Sequence, residues 1–210
     1  MRFESLNVEE IAYASLREDT LDVKAIANFV ARIVEGRDLD LGGHLQRVAV
    51  SVESFAQYIG CSTKDVALVS IGSRLHDLGK LSISEHILNK PGRLTALEFS
   101  LVKQHTVIGG QLLEPLGIDS RISEIVVHHH ENFDGSGYPH GLVGEAIPLF
   151  ARIVRLWDSF DALTSDRPYH KGVPLHAALE VMQRDKAFYD PVLLRFFCEK
   201  ASNVPANTFI

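Results

Sequence analysis

Cysteine is scarce in this chain: two among 210 residues, Cys61 and Cys198. Neither belongs to a CxxC pair and both fall in apolar helical patterns. That argues against a disulfide scaffold or a thiolate metal site, and for free thiols in a reducing compartment. Positive charge is also short, with 21 Lys and Arg against 27 Asp and Glu and a formal net charge of -6. A general nucleic-acid binder carries a basic face, so no nucleic-acid polymer is expected as a partner. A phosphate-bearing ligand must be met by a local positive site, not by the overall field. Long apolar runs are missing. The longest, such as AIPLF and ALVSIG, fall far short of the ~18 residues that a bilayer span requires. The acidic start MRFESLNVEE lacks the apolar stretch of a signal peptide. The expectation is a soluble, cytoplasmic protein with no membrane partner.

Alternating strands, hairpin signals, repeats and low-complexity stretches are absent too. What remains is helical periodicity. VKAIANFVARIVEG places Ile26, Phe29, Val30 and Ile33 on one inward stripe. HLQRVAVSVESFAQYIG sets Leu45, Val48, Val52, Phe55 and Ile59 inward. STKDVALVSIGSRLHDLG opens on a Ser/Thr cap, and TALEFSLVKQH opens with Thr95 and Glu98 at capping-box spacing. DSRISEIVVHHH puts Ile122, Ile125, Val126 and His129 on one face, and PLFARIVRLWDSFDALTSD starts with Pro148 in its first turn. Two more helices follow, around 175–184 and 191–200. LSISEHILNKPGRL reads as a loop with a turn at Pro91-Gly92. The fold class is all-α, a bundle of roughly eight or nine helices. Residues 1–20 are expected to form a separate short helical arm, and 21–210 the main domain.

Histidine is the anomaly. Of ten in the chain, seven lie between His76 and His140. His76 and Asp77 are adjacent at a helix C-terminus, where both side chains can reach one ion only if the helix end opens. Lys80 follows one turn later. His44 is placed within a helix, four residues after Asp40. His105 follows an apolar helix, and His129 and His130 close a triplet. Asp158 sits among core positions, where a carboxylate needs a cation. Donors carried by several helices of a bundle are a common way to build a carboxylate and imidazole metal site.

Four stretches, HDLGKLSISEHILNKPGRLT, KQHTVIGGQLL, HHENFDGSGYP and DSFDALTSDRPY, resemble the HD-GYP family, a branch of the HD metal-dependent phosphohydrolases. The resemblance covers about residues 40–185, with the motifs in the family's order. It implies an all-helical fold, two or three divalent metal ions (iron or manganese foremost, with zinc open) and hydrolysis of cyclic di-GMP to linear pGpG, a second cut to GMP being left open. It implies a metal set of His44, His76, Asp77 and Asp158, joined by His105, His129 and His130, with Asp77 bridging two ions. Asp40 stands where some members carry a third-metal Glu, and it either ligates or caps the helix.

Two ions sharing a water would lower its pKa toward ~7 and offset charge on the phosphate. Asp77 and Lys80 are thus the candidate catalytic residues, Lys80 as a phosphate donor or else as a solvated helix end. Arg93, Lys90, Lys103 and Arg167 are candidate substrate contacts. Gly137, Tyr138 and Pro139 shape a cleft wall or a surface for signalling-protein partners, with a homodimer as a further candidate assembly. Asp134 and Arg167 are expected to pair and fix the loop. Glu131 either orients a ligand histidine or is an exposed acid, and His128 points away from the ligand face. The competing readings are a non-catalytic cyclic-dinucleotide sensor and a phosphohydrolase for another nucleotide.

Overall fold

Short polar side chains at helix starts set many of the boundaries. In the computed structural model, which describes residues 23–38, 41–166 and 171–202, Ser62 accepts from the Asp65 N–H and opens α3, Thr63–Leu75. Thr95 and Glu98 form a full capping box on α5, Ala96–Lys103. Asp119 accepts from the Arg121 N–H and opens α7, Ser120–His128. Each such cap satisfies an N–H that the helix itself cannot. The remaining helices are α1 Val23–Arg37, α2 His44–Tyr58, α4 Glu85–Leu88, α6 His105–Leu113, α8 Leu149–Thr164, α9 Leu175–Arg184 and α10 Pro191–Ser202. Four 3-10 turns complete the described structure, one of them at Leu78–Ser82. No strand forms among the described residues, only an isolated bridge between Asp134 and Val143. No described helix is long and apolar enough to cross a membrane.

The core lies between α2, α3, α7, α8 and α10. Phe55, Trp157, Phe160 and Phe197 stack edge to face at its centre, with Trp157 and Phe197 ring centroids 4.8 Å apart. Burial of such side chains contributes roughly 1.5–3 kcal/mol each. The inward positions expected on α2 and α7 are buried, Ile59 only in part. This core backs the helix ends that carry the histidines.

Several local expectations are corrected. On α1 the buried positions are Ala27, Ala31 and Val34, while Ile26, Phe29 and Ile33 are 42%, 65% and 42% exposed. The helix is apolar on more than one face, and the face of small residues packs closely on α3 and the 78–82 turn. His44 begins α2 instead of lying inside a helix, after Gly43 at φ 72. Pro148 caps α8 from outside it. The stretch read as a loop holds the 78–82 turn and α4, although Gly92 does turn at φ 100. TALEFSLVKQH breaks at Gln104, so His105 starts a new helix, α6.

That break is positioned by Gly79. A Cβ there would stand 1.9 Å from the His105 carbonyl oxygen and 2.7 Å from the Gly109 nitrogen. Only glycine lets the 78–82 turn lie against α6 so closely. The contact brings His105 beside Asp77.

Candidate metal centre

Helix ends converge on one point. His44 opens α2, His76 and Asp77 follow the end of α3, His105 opens α6, His129 and His130 follow α7, and Asp158 lies on α8. His44, His76, Asp77, His105 and His129 are each at most 3% exposed, and His130 and Asp158 are partly buried. His105 Nε2 lies 3.3 Å and His129 Nε2 4.0 Å from Asp77 Oδ1, and His76 Nε2 lies 3.5 Å from Asp77 Oδ2. His44 Nε2 is 3.2 Å from Asp158 Oδ1, and His130 Nδ1 is 3.9 Å from Asp158 Oδ2. The potential donors form two groups, Asp77 with His105, His129 and His130, and Asp77 with His44 and His76, each spanning no more than 4.8 Å. Asp77 is common to both.

The second ring nitrogens fix the tautomers. His76, His105 and His129 donate from Nδ1 to the carbonyls of Ser73, Val102 and Val126 at 2.8, 2.7 and 2.9 Å. A carbonyl can only accept, so Nδ1 holds the proton and Nε2 is left with a lone pair. His105 Nε2 and His129 Nε2 face each other at 3.3 Å. Burial depresses both pKa values, that of His129 well below the ordinary range, so neither ring gains a second proton at neutral pH. Two buried lone pairs so close repel, and a cation between them relieves the conflict. The imidazole and carboxylate donors therefore fit a divalent ion.

Charge around the donors is balanced. Burial favours protonated Asp77, yet the Lys80 ammonium beside it holds it well below the usual carboxylate range. Lys80 Nζ bridges Asp38 at 2.9 Å and Asp77 at 3.0 Å. Burial works against its charge, but the two carboxylates raise its pKa above the ordinary lysine value. This rules out the solvated helix end. His44 Nδ1 donates to Asp161 Oδ2 at 2.6 Å. Arg47 grips the same carboxylate at 2.7 and 2.9 Å. Burial opposes a charged His44, but Asp158 and Asp161 outweigh it and lift the ring to about 9. Asp38, Arg47 and Asp161 escaped the sequence reading. Asp161 alone had a signal, a second acid one turn after Asp158 in the apolar run LWDSFDAL.

The glycine loop packs over this centre. A Cβ at Gly137 would stand 2.2 Å from the Asn132 nitrogen, so close approach requires this glycine, while Gly135 and Gly141 have φ of 85 and 66. Tyr138, joined to Pro139 by a cis peptide, lies over His130 with ring centroids 4.8 Å apart, and Lys103 stands over its other neighbour Phe99. Arg155 on α8 donates to Asn132 Oδ1 at 3.0 and 2.9 Å and ties the loop down. Glu131 is neither an exposed acid nor a partner of a centre histidine: it is 1% exposed and accepts the N–H groups of His140 and Leu142. Asp134 accepts from Ser136.

Asp40 and Arg167 lie outside the described residues, as does the expected arm at 1–20. Arg93 is exposed and does not line the cleft. Lys90 is engaged by Glu98 at 2.7 Å. The cleft itself, about 440 Å³, is lined by His44, Asp77, Lys80, His130, Arg155 and Asp158 among others.

Residues 28–193 match the HD domain family. The chain is 40% identical over 193 residues to the cyclic di-GMP phosphodiesterase response regulator RpfG of Xanthomonas campestris, covering 89% of this chain and 50% of that protein. It is 35% identical over 174 residues to the 3'3'-cGAMP-specific phosphodiesterase 3 of Vibrio cholerae, covering 83% and 38%. The chain thus spans half or less of the length of these relatives. Among solved structures, a cyclic GMP-AMP phosphodiesterase of V. cholerae (V-cGAP3) superposes with a TM-score of 0.62 at 18% identity, over 84% of this chain and 49% of that one. That likeness speaks for the fold. With its motifs in order on that fold and a divalent-metal donor set at its centre, the chain belongs to the HD-GYP branch of the HD domain family.

Proposed function

We propose that this domain is a metal-dependent phosphodiesterase that opens a 3′,5′ bond of cyclic di-GMP to give linear pGpG. The observation that carries the reading is the facing pair of bare imidazole nitrogens, His105 and His129, beside a carboxylate common to two donor groups. In this reading His105, His129, His130 and Asp77 hold one ion, and His44, His76, Asp158 and the same Asp77 hold another. Iron or manganese suits such ligands, which include no thiolate. The chemistry such ions supply is acidification of water and neutralisation of phosphate charge.

The chain's own residues supply the rest. Asp77 stays ionised at neutral pH because the Lys80 ammonium stands 3.0 Å from it. Lys80 has three N–H donors, and Asp38 and Asp77 take two. The third is free to meet a phosphate oxygen in the cleft, a charge-assisted contact of the kind that stabilises developing negative charge. Tyr138 presents an aromatic face beside His130 against which a purine can lie. Arg155 and Asn132 hold that wall in place.

A second substrate has specific support, since relatives at 35% and 36% identity bear the description 3'3'-cGAMP-specific. The test is to load the protein anaerobically with iron or manganese, incubate it with each cyclic dinucleotide and separate the products. Linear pGpG is expected. Turnover of 3'3'-cGAMP alone would transfer the assignment to that substrate. Stoichiometric binding without turnover would make the domain a sensor. Asp77→Ala and His130→Ala should lose metal and activity together, while His176→Ala, altering an exposed side chain, keeps both. Full metal content in both ligand variants would refute the assignment.

A further inference from the structure

The turn after α7 carries a second set of donors that the centre does not use. His128, Glu131 and His140 each offer one ligand atom, all within 4.8 Å of one another, and share no residue with either central group. They also face another way. His140 borders a surface groove with Val107, Gly110, Ser123 and Val127, whereas His130 lines the cleft.

One donor of this cluster lacks a hydrogen bond and another lacks a Lys or Arg counter-charge. His128 Nδ1 is buried and makes no hydrogen bond, one of two such side-chain atoms among the described residues. Its nearest acid, Glu131 Oε1, is 3.8 Å away, beyond hydrogen-bond reach. Glu131 is 1% exposed, yet no Lys or Arg nitrogen among the described residues lies within 4.0 Å of it. Its oxygens accept only backbone donors, His140 N–H at 2.7 Å and Leu142 N–H at 3.1 Å. A buried carboxylate without a cation is costly. The His128 and His140 rings lie side by side, with centroids 5.3 Å apart and planes tilted by 49°.

We infer that His128, Glu131 and His140 form a separate site for a borderline divalent transition ion such as zinc. Two imidazoles and a carboxylate are a familiar three-ligand zinc set that leaves one position for water. Donors about 2.1 Å from a tetrahedral ion stand about 3.4 Å apart, so the cluster closes by roughly an ångström. The exposed His140 side chain has the freedom to make that movement. The ion neutralises Glu131, occupies the idle nitrogen of His128 and fastens the far end of the glycine loop to the end of α7. Tyr138 lies two residues before His140, so the site steadies the cleft wall from behind.

The test counts ions on the full chain. Protein saturated with zinc, freed of excess and analysed for metal should hold one more zinc per chain than His140→Ala, and one more than His128→Phe, which keeps ring bulk. His86→Ala, on an exposed residue of α4, should match the parent. Amide exchange at His140 and Leu142 should slow at least several-fold on adding zinc to the parent, and stay unchanged in His140→Ala. Equal zinc content in parent and His140→Ala, or the same slowing in both, overturns the site. His140 is exposed, so its replacement leaves the fold intact, and the central metals remain as an internal count.

Discussion

A single proton decides what each histidine can do. Three rings give theirs to backbone carbonyls and so turn a bare nitrogen inward. His44 instead gives its Nδ1 proton to a carboxylate, Asp161, which Arg47 clamps from the other side. An anionic acceptor makes the opposite nitrogen more basic and holds the ring's angle. Asp161→Asn keeps the shape and removes the charge. Metal affinity measured by titration should fall roughly 10- to 100-fold, with the far-ultraviolet circular dichroism unchanged. Unaltered affinity would show that Asp161 does no more than fill space. The histidine triplet and the HD pair were legible because their residue types are rare in cores and their motifs are contiguous. Arg47 and Asp38 were not, because a lone Arg or Asp in a helical pattern looks solvated until the fold sets it against a partner more than 40 residues away.

At the scale of the element, helix ends matter more than helix faces. α6 begins at His105 because the 78–82 turn presses against it at Gly79. Gly79→Ala drives a methyl into backbone, which cannot rotate aside. The cost should be about 3 kcal/mol or more, lowering the melting temperature by roughly 10 °C. Metal content should fall with it, since His105 moves away from Asp77. A second test concerns α5. Its capping acid Glu98 is held at about 2 by Lys90 and by Thr95 N–H and hydroxyl donors. The folded value lies below the unfolded one, so this contribution is complete above about pH 4.5 and vanishes as pH falls toward 2. The protection of the Thr95 amide, relative to its intrinsic exchange rate at each pH, should fall as pH drops through that window, and in Glu98→Gln it should not change. Salt should weaken the effect, because the Lys90–Glu98 pair is open to solvent. The cap was readable because Thr-x-x-Glu is a local code. The buried face of α1 was not, because apolar residues lie on both sides and only the neighbour's shape favours Ala27 and Ala31 over Phe29.

For the whole molecule, the centre is where otherwise separate helices meet. Without a cation, it confronts buried lone pairs across 3.3 Å. An ion that binds only the folded chain stabilises it by about 2.7 kcal/mol at a hundredfold excess over its dissociation constant. Adding manganese to chelator-stripped protein should therefore raise the melting temperature by roughly 5–10 °C, rising with the logarithm of concentration. A melting temperature indifferent to metal would contradict the centre. The all-helical class, the family and most of the residues that converge at the centre could be read along the chain. The pairing of distant groups could not, since linear order says nothing about which ends come together.

The hydrogen bond between His44 and Asp161 spans 117 positions. During synthesis the imidazole emerges long before its acceptor exists, and domains are completed only once their last strut has left the ribosome. Nascent fragments ending short of Asp161 should remain sensitive to protease and hold no metal at the centre, so the ion is seated only after this part of α8 has emerged.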